Sequence, residues 1–156
     1  QTDCNNSEIK RAFLFALFTG LRFSDVKVLK YENIDYYNQI LTIKQEKTGE
    51  TLKQPMHPVA FEIVGDKQPP ENKVFKLPTS EGTNKMLKLW VYKSGIDKKI
   101  TFHCARHSFA TNLLIYKSDI VTLSKLMGHN SIKYTQIYTQ IAEDLKRQTI
   151  NSLPNI

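Results

Sequence analysis

The stretch His103-Cys104-Ala105-Arg106-His107-Ser108-Phe109-Ala110-Thr111 heads a segment, Thr101 to Tyr138, from which the rest of the chain can be read. Residues three apart share one face of a helix, so His103 and Arg106 project together, a proton-transfer group beside a permanently charged planar fork. Such a pair is a poor core element and a good holder of phosphate. Downstream, Leu126-Met127-Gly128-His129 ends one helix at a glycine and places a second imidazole at a turn. Gln136-Ile137-Tyr138-Thr139 then supplies a phenol.

Upstream, Ser7 is predicted to cap a helix whose apolar residues Ile9, Phe13, Leu14, Leu17 and Phe18 recur with a helical period, closed by Gly20. Arg22 falls just past that end. Ser24 is predicted to cap a second helix, with Asp25 supporting its first turn. From Ile34 the period changes to two, through Tyr36, Ile40-Leu41-Thr42-Ile43 and Thr51 to Met56, with turns at Tyr37-Asn38-Gln39 and Thr48-Gly49. This predicts a three-stranded antiparallel meander with Lys47 at the tip of its second hairpin. Pro58 opens a short helix through Ile63, and Gly65 to Thr79 reads as an exposed loop with no domain boundary.

Ser80 is predicted to cap a helix carrying Met86, Leu87, Leu89, Trp90 and Val91 and ended by Gly95. The His103 helix follows, with Phe102, Phe109, Ala110, Leu113 and Leu114 as its buried stripe and its end near Ser118. Asp119 to Met127, Ser131 to Ile141 and Ala142 to Ile150 also read as helices. The fold class is therefore mostly α with a small three-stranded antiparallel β-sheet.

The 156 residues amount to one domain, and a 40% hydrophobic content is enough for a core. A net charge of +7 calls for an anionic partner, nucleic acid being the commonest for such a chain. The lysines are dispersed, which points to a folded basic surface rather than a basic tail. Cys4 and Cys104 form no disulfide or metal-binding pattern, so a reducing, cytoplasmic setting is expected. No apolar run of membrane-spanning length and no signal-peptide pattern is present, which argues against a membrane partner. The start at Gln1, without methionine, suggests a fragment of a longer protein.

The polar residues at structural punctuation points are Arg22, Lys47, His103, Arg106, His129 and Tyr138. Two arginines, a lysine, two imidazoles and a phenol suit phosphoryl transfer to an amino-acid hydroxyl. Guanidinium forks hold non-bridging phosphate oxygens, where charge accumulates in the transition state. A free phenol has a pKa of about 10, so only roughly 0.1% is phenolate at neutral pH, and about 4 kcal/mol must be supplied to reach the nucleophile. Neighbouring cations and a base supply much of that, and a mobile hairpin lysine can protonate the leaving oxygen. Lys44 and Lys53 compete with Lys47 for that role. Tyr134 lies one helical turn before Tyr138 on the same face and competes with it as the nucleophile. His107 reads as a packing residue, and Cys104 as a small buried hydrophobe near the site.

These residues carry a resemblance to the catalytic domain of tyrosine recombinases, the phage integrase family, in the form found in integrases of mobile elements. Thr19-Gly20-Leu21-Arg22-Phe23-Ser24-Asp25 resembles the family's first arginine box and the His103 to Thr111 stretch its second. Leu126-Met127-Gly128-His129 resembles its late histidine, Ile137-Tyr138 its nucleophile, and Lys47-Thr48-Gly49 with Gln54-Pro55 its hairpin lysine. The family usually has a bulky aliphatic residue where Ala105 stands.

The resemblance implies site-specific DNA strand exchange on double-stranded DNA, without metal or nucleotide cofactor. In it Tyr138 attacks the scissile phosphate, Arg22 and Arg106 clamp it, His129 hydrogen-bonds it, His103 accepts the phenol proton and Lys47 protonates the 5′-oxygen. It further implies a tetrameric synapse of the protein's own subunits on DNA, a monomer when DNA-free, and accessory DNA-bending or directionality proteins. A bacterial or phage origin goes with it. Residues 1–156 would be the catalytic domain, lacking the N-terminal core-binding domain, with 142–156 as a tail that docks on a neighbouring subunit. The competing readings are a non-catalytic basic DNA-binding module and a type IB topoisomerase.

Overall fold

The computed structural model describes Cys4 and residues 6–116, 118–128 and 138–151. The chain divides into two compact units, Gln1–Phe109 and Ala110–Ile156.

In the first unit, helix α1 (Ser7–Thr19) buries Ile9, Ala12, Phe15, Ala16 and Thr19. Its cap lies one residue ahead of the expected Ser7, since the Asn6 side chain accepts the Ile9 N–H at 3.2 Å. Gly20 ends the helix in the left-handed conformation, φ 66°. Helix α2 (Phe23–Val28) is capped not by Ser24 but by Arg22, in extended conformation. The helix starts early because the Phe23 ring is engaged edge-on by Phe102 at 5.2 Å, and Ser24 Oγ is left 3.5 Å from the Asp25 carboxylate instead of on a helix N–H.

The predicted meander is present. Strands β1 (Ile34–Asp35), β2 (Ile40–Lys44) and β3 (Thr51–Pro55) form an antiparallel sheet in the order β1-β2-β3. The register pairs Leu41 with Gln54 and Ile43 with Leu52, so alternate residues of both strands turn inward. Two-residue periodicity in the sequence thus becomes a one-sided sheet.

Helix α3 (Pro58–Val64) follows, and α1 packs against it, against α2 and against α4 (Ser80–Lys93). The segment between α3 and α4 is mostly exposed, yet Val74 and Phe75 are buried, against the reading of an uninterrupted surface loop. The Val74 N–H donates to the Leu29 carbonyl at 2.9 Å and the Phe75 ring meets Phe15 at 5.2 Å. Two apolar residues, together with N–H bonds from Tyr31 and Glu32 to the Asn72 and Pro70 carbonyls, pin this charge-rich stretch to the core. Helix α4 is capped by Thr79 rather than Ser80, its hydroxyl accepting the Gly82 N–H at 3.2 Å.

Helix α5 runs Phe102–Ile115, ending short of Ser118. Of its expected stripe, Phe102, Phe109, Ala110 and Leu114 are buried and Leu113 is half-buried.

In the second unit, Asp119 caps α6 (Ile120–Leu126) by accepting the Val121 and Thr122 N–H groups at 2.8 and 2.9 Å. Helix α7 (Thr139–Asn151) passes without a break through the predicted boundary between Ile141 and Ala142. Most of the helix expected from Ser131 lies outside the described residues. Among the described residues, no helix is long and apolar enough to cross a membrane.

Candidate active site

The site grows from the corner between α1 and α2. A left-handed residue is needed to end α1, and glycine adopts that conformation without steric cost. Gly20 serves a second purpose: a Cβ there would run into the Phe109 ring of α5. Two residues on, Arg22 emerges half-exposed beside the fully buried Leu21.

Aromatic packing sets α5 against this corner. The Phe102 ring sits edge-on to Phe13 at 5.9 Å and to Phe23 at 5.2 Å. Arg22 and His103 are the chain neighbours of that Phe23–Phe102 pair, so the contact carries both polar residues to one locality. The start of α5 is further tied down by the Asn84 side chain of α4, which accepts the Phe102 N–H at 2.8 Å. The Cys104 sulfur accepts the Thr101 N–H at 3.3 Å, which makes half-buried Cys104 a partner of the helix start. Ala105 is fully buried.

Arg106, 3% exposed, reaches back to the corner and donates from Nη1 to the Gly20 carbonyl at 2.6 Å. A buried guanidinium demands such acceptors, and the C-terminal carbonyls of a helix carry partial negative charge. The bond orients the planar fork from the end of α1.

The β2–β3 hairpin completes the arrangement. Asp25, 0% exposed, accepts the Glu46 N–H at 2.9 Å, joining α2 to the base of the turn that carries Lys47. Within the turn, Gln45 N–H donates to the Glu50 carbonyl at 2.8 Å and Gly49 N–H to the Gln45 carbonyl at 2.8 Å. Gln54 of β3 donates from its side chain to the Thr19 carbonyl at 2.9 Å, holding the sheet to the end of α1. Lys47 itself is exposed. The base of the hairpin is anchored while its lysine stands free of the core.

Electrostatics shows which residues share a neighbourhood. The His103 pKa is lowered, first by desolvation and then by the positive fields of His107, Arg106, Arg22 and Lys47. The ring is open to solvent at its rim, but the protein behind it removes enough water for burial to dominate. The effect is a neutral imidazole in a cationic surround, the form able to accept a proton. Lys53, an alternative for the hairpin lysine, instead acts on Asp35 at the other turn of the sheet.

The structure therefore brings Arg22, Lys47, His103 and Arg106 together within the first unit. Tyr138 lies in the second unit at the head of α7 and is 4% exposed. His129 and Tyr134 lie outside the described residues. The link from Asp25 to the hairpin and the Gly20 carbonyl as the Arg106 acceptor were not readable from spacing. Asp25 looked like an ordinary first-turn acid, and backbone acceptors leave no sequence mark.

Residues 1–144 match the phage integrase family. The chain belongs to that family. It is 34% identical over 153 residues to the tyrosine recombinase XerA of Pyrococcus furiosus, a match covering 88% of this chain and 53% of the relative. The catalytic domain of bacteriophage HP1 integrase has the same fold, with a TM-score of 0.71 at 20% identity, over 97% of this chain and 86% of that one. The Tn1549 transposon integrase, in complex with transposon right-end DNA, superposes with a TM-score of 0.73 at 19% identity, over 96% of this chain and 61% of that one. The integrase-family chain spans about half the length of the curated relatives it matches.

Proposed function

We propose that this chain is the catalytic domain of a site-specific DNA recombinase that cuts and rejoins strands through a 3′-phosphotyrosyl intermediate. The observation that carries the reading is the convergence of Arg22, Lys47 and Arg106 on a neutral His103. Three cations around one base suit a phosphodiester: the charges answer its negative oxygens, and the base answers the proton of an attacking hydroxyl.

In the proposed reaction the Tyr138 oxygen attacks the scissile phosphorus. The Tyr O–P bond forms, the bond from phosphorus to the 5′-oxygen breaks, His103 takes the phenol proton and Lys47 gives one to the departing oxygen. Arg22 and Arg106 hold the non-bridging oxygens, with His129 as a further donor. The free 5′-hydroxyl of a partner strand then reverses the chemistry on the phosphotyrosine. One phosphodiester replaces another, so the exchange needs no external energy source.

The substrate is double-stranded DNA. Strand exchange is carried out by four subunits in a synapse assembled on DNA from chains that are monomeric without it, with residues 142–156 docking on a neighbour and accessory DNA-bending or directionality proteins setting the outcome. The setting is the cytoplasm of a bacterium that carries the mobile element.

A nicked suicide duplex tests the reading. A protein–DNA adduct that survives denaturant, forms in EDTA and disappears in Tyr138→Phe is expected. An adduct of undiminished yield in Tyr138→Phe would overturn the assignment of the nucleophile.

A further inference from the structure

His103 has a second imidazole beside it on α5. His107 follows one turn later, and the two rings stand 4.5 Å apart, centre to centre, with planes at 88°. That is the edge-to-face geometry in which the positive rim of one aromatic ring meets the negative face of another. Residues four apart are neighbours on a helix surface, so the backbone itself brings the two side chains to this contact. The other residue one turn on, Arg106, sends Nη1 of its guanidinium to the Gly20 carbonyl at 2.6 Å. His103 is exposed, whereas His107 is half-buried and already engaged. An exposed imidazole can visit several staggered rotamers, and a held ring set against it selects among them.

From this contact we propose that His107 is a positioning residue for the proton acceptor: its ring, set edge-to-face against His103, holds that imidazole in the orientation from which it takes the proton of an attacking hydroxyl. The proposal rests on the role given above to His103. A base must come within hydrogen-bond reach of the proton it removes, and a misplacement of about 1 Å can cost ~10²-fold in rate. The contact has an electrostatic side as well. After desolvation, His107 comes first among the groups that lower the His103 pKa, ahead of Arg106, Arg22 and Lys47. A proton on either ring disfavours one on the other, so His107 works in the same sense as the three permanent cations and helps to keep His103 neutral. Orientation and protonation state of the acceptor thus depend on one neighbouring ring.

Proton NMR of the whole chain, without DNA, is the first test. The carbon-bound protons of the His103 ring are expected to carry a ring-current shift from His107. His107→Phe keeps a ring at the contact and retains such a shift, whereas His107→Leu, bulk without a ring, loses it and raises the His103 titration midpoint. Unchanged His103 shifts and midpoint in His107→Leu overturn the contact. His107→Ala repeats the comparison should the leucine variant fold poorly. Single-turnover adduct formation on the suicide duplex follows. His107→Leu is expected to react on the order of 10–10²-fold more slowly at unchanged DNA affinity, with the acid limb of its pH–rate profile moved to higher pH, and His107→Phe to recover most of the rate. A merely structural loss would not move that limb. Equal slowing in the two variants, or an undiminished rate in His107→Leu, overturns the positioning role. If the wild type makes no adduct, the recombinase reading falls, and the NMR comparison still decides whether the His107 ring holds His103.

Discussion

The Arg106 guanidinium donates to the Gly20 carbonyl at 2.6 Å across a sequence separation of 86 residues, inside the protein. That one bond ties the orientation of the guanidinium fork to the end of a distant helix. Arg106→Ala leaves the carbonyl without this donor, at a cost of roughly 1–3 kcal/mol. The same change is expected to slow adduct formation by ~10²–10³. Arg106→Lys keeps the charge without the fork, so urea unfolding is expected to show near-normal stability while single-turnover cleavage stays slow.

Gly20 itself is the next test. At φ 66°, with Phe109 filling the place of any side chain, Gly20→Ala is strained in backbone and in packing alike. A loss of about 1–3 kcal/mol is expected. Phe109→Ala in the same chain relieves the clash but not the backbone strain. A double variant less stable than the sum of the two single changes would contradict this account.

Asp25 makes a different prediction, because its two oxygens differ. Oδ1 takes the Glu46 N–H, whereas Oδ2 has no hydrogen-bond partner among the described residues. Asp25→Asn can keep the first bond, and its stability is expected to stay close to that of the wild type. Asp25→Ala removes the anchor, costs roughly 1–2 kcal/mol and speeds amide hydrogen exchange across residues 45–50.

The pH dependence follows from His103. Its folded pKa lies below the ordinary 6.5, so the unfolded chain binds the proton more readily than the folded one. Protonation then favours unfolding. The contribution of this group is fully present above 6.5 and is lost as pH falls below 6.5 toward the lowered folded value. Thermal denaturation of wild type and His103→Gln across that window is expected to show a shallower acid loss in the variant. NMR titration of the His103 ring checks the direction independently, and a midpoint above 6.5 would contradict it.

Much of this was legible before any coordinates. Two-residue periodicity from Ile34 to Met56 specified the meander, because inward and outward faces of a strand alternate in the chain itself. The His103–Arg106 pair and the Arg22 position after Gly20 declared themselves by sitting where a core has no use for them. What escaped was of another kind. Thr79 and Asn6 displaced the expected caps by one residue, since either neighbour carries a suitable oxygen and only packing chooses between them. Val74 and Phe75 were hidden among charges. Lys47 was chosen from its place at the hairpin tip, whereas the interaction of Lys53 with Asp35 at the other turn is a fact of tertiary structure with no local trace. The likeness of residues 1–144 to the phage integrase family speaks for the whole assembly and assigns no single atom.

The buried Asp25 carboxylate underlies both Arg22, three residues before it in the chain, and the turn of Lys47, to which it is bonded. The α1–α2 corner that carries Arg22 and the turn that carries Lys47 consequently share a footing. Substitutions at the two positions should fail to combine additively, so natural variation at one is best interpreted only alongside the residue found at the other.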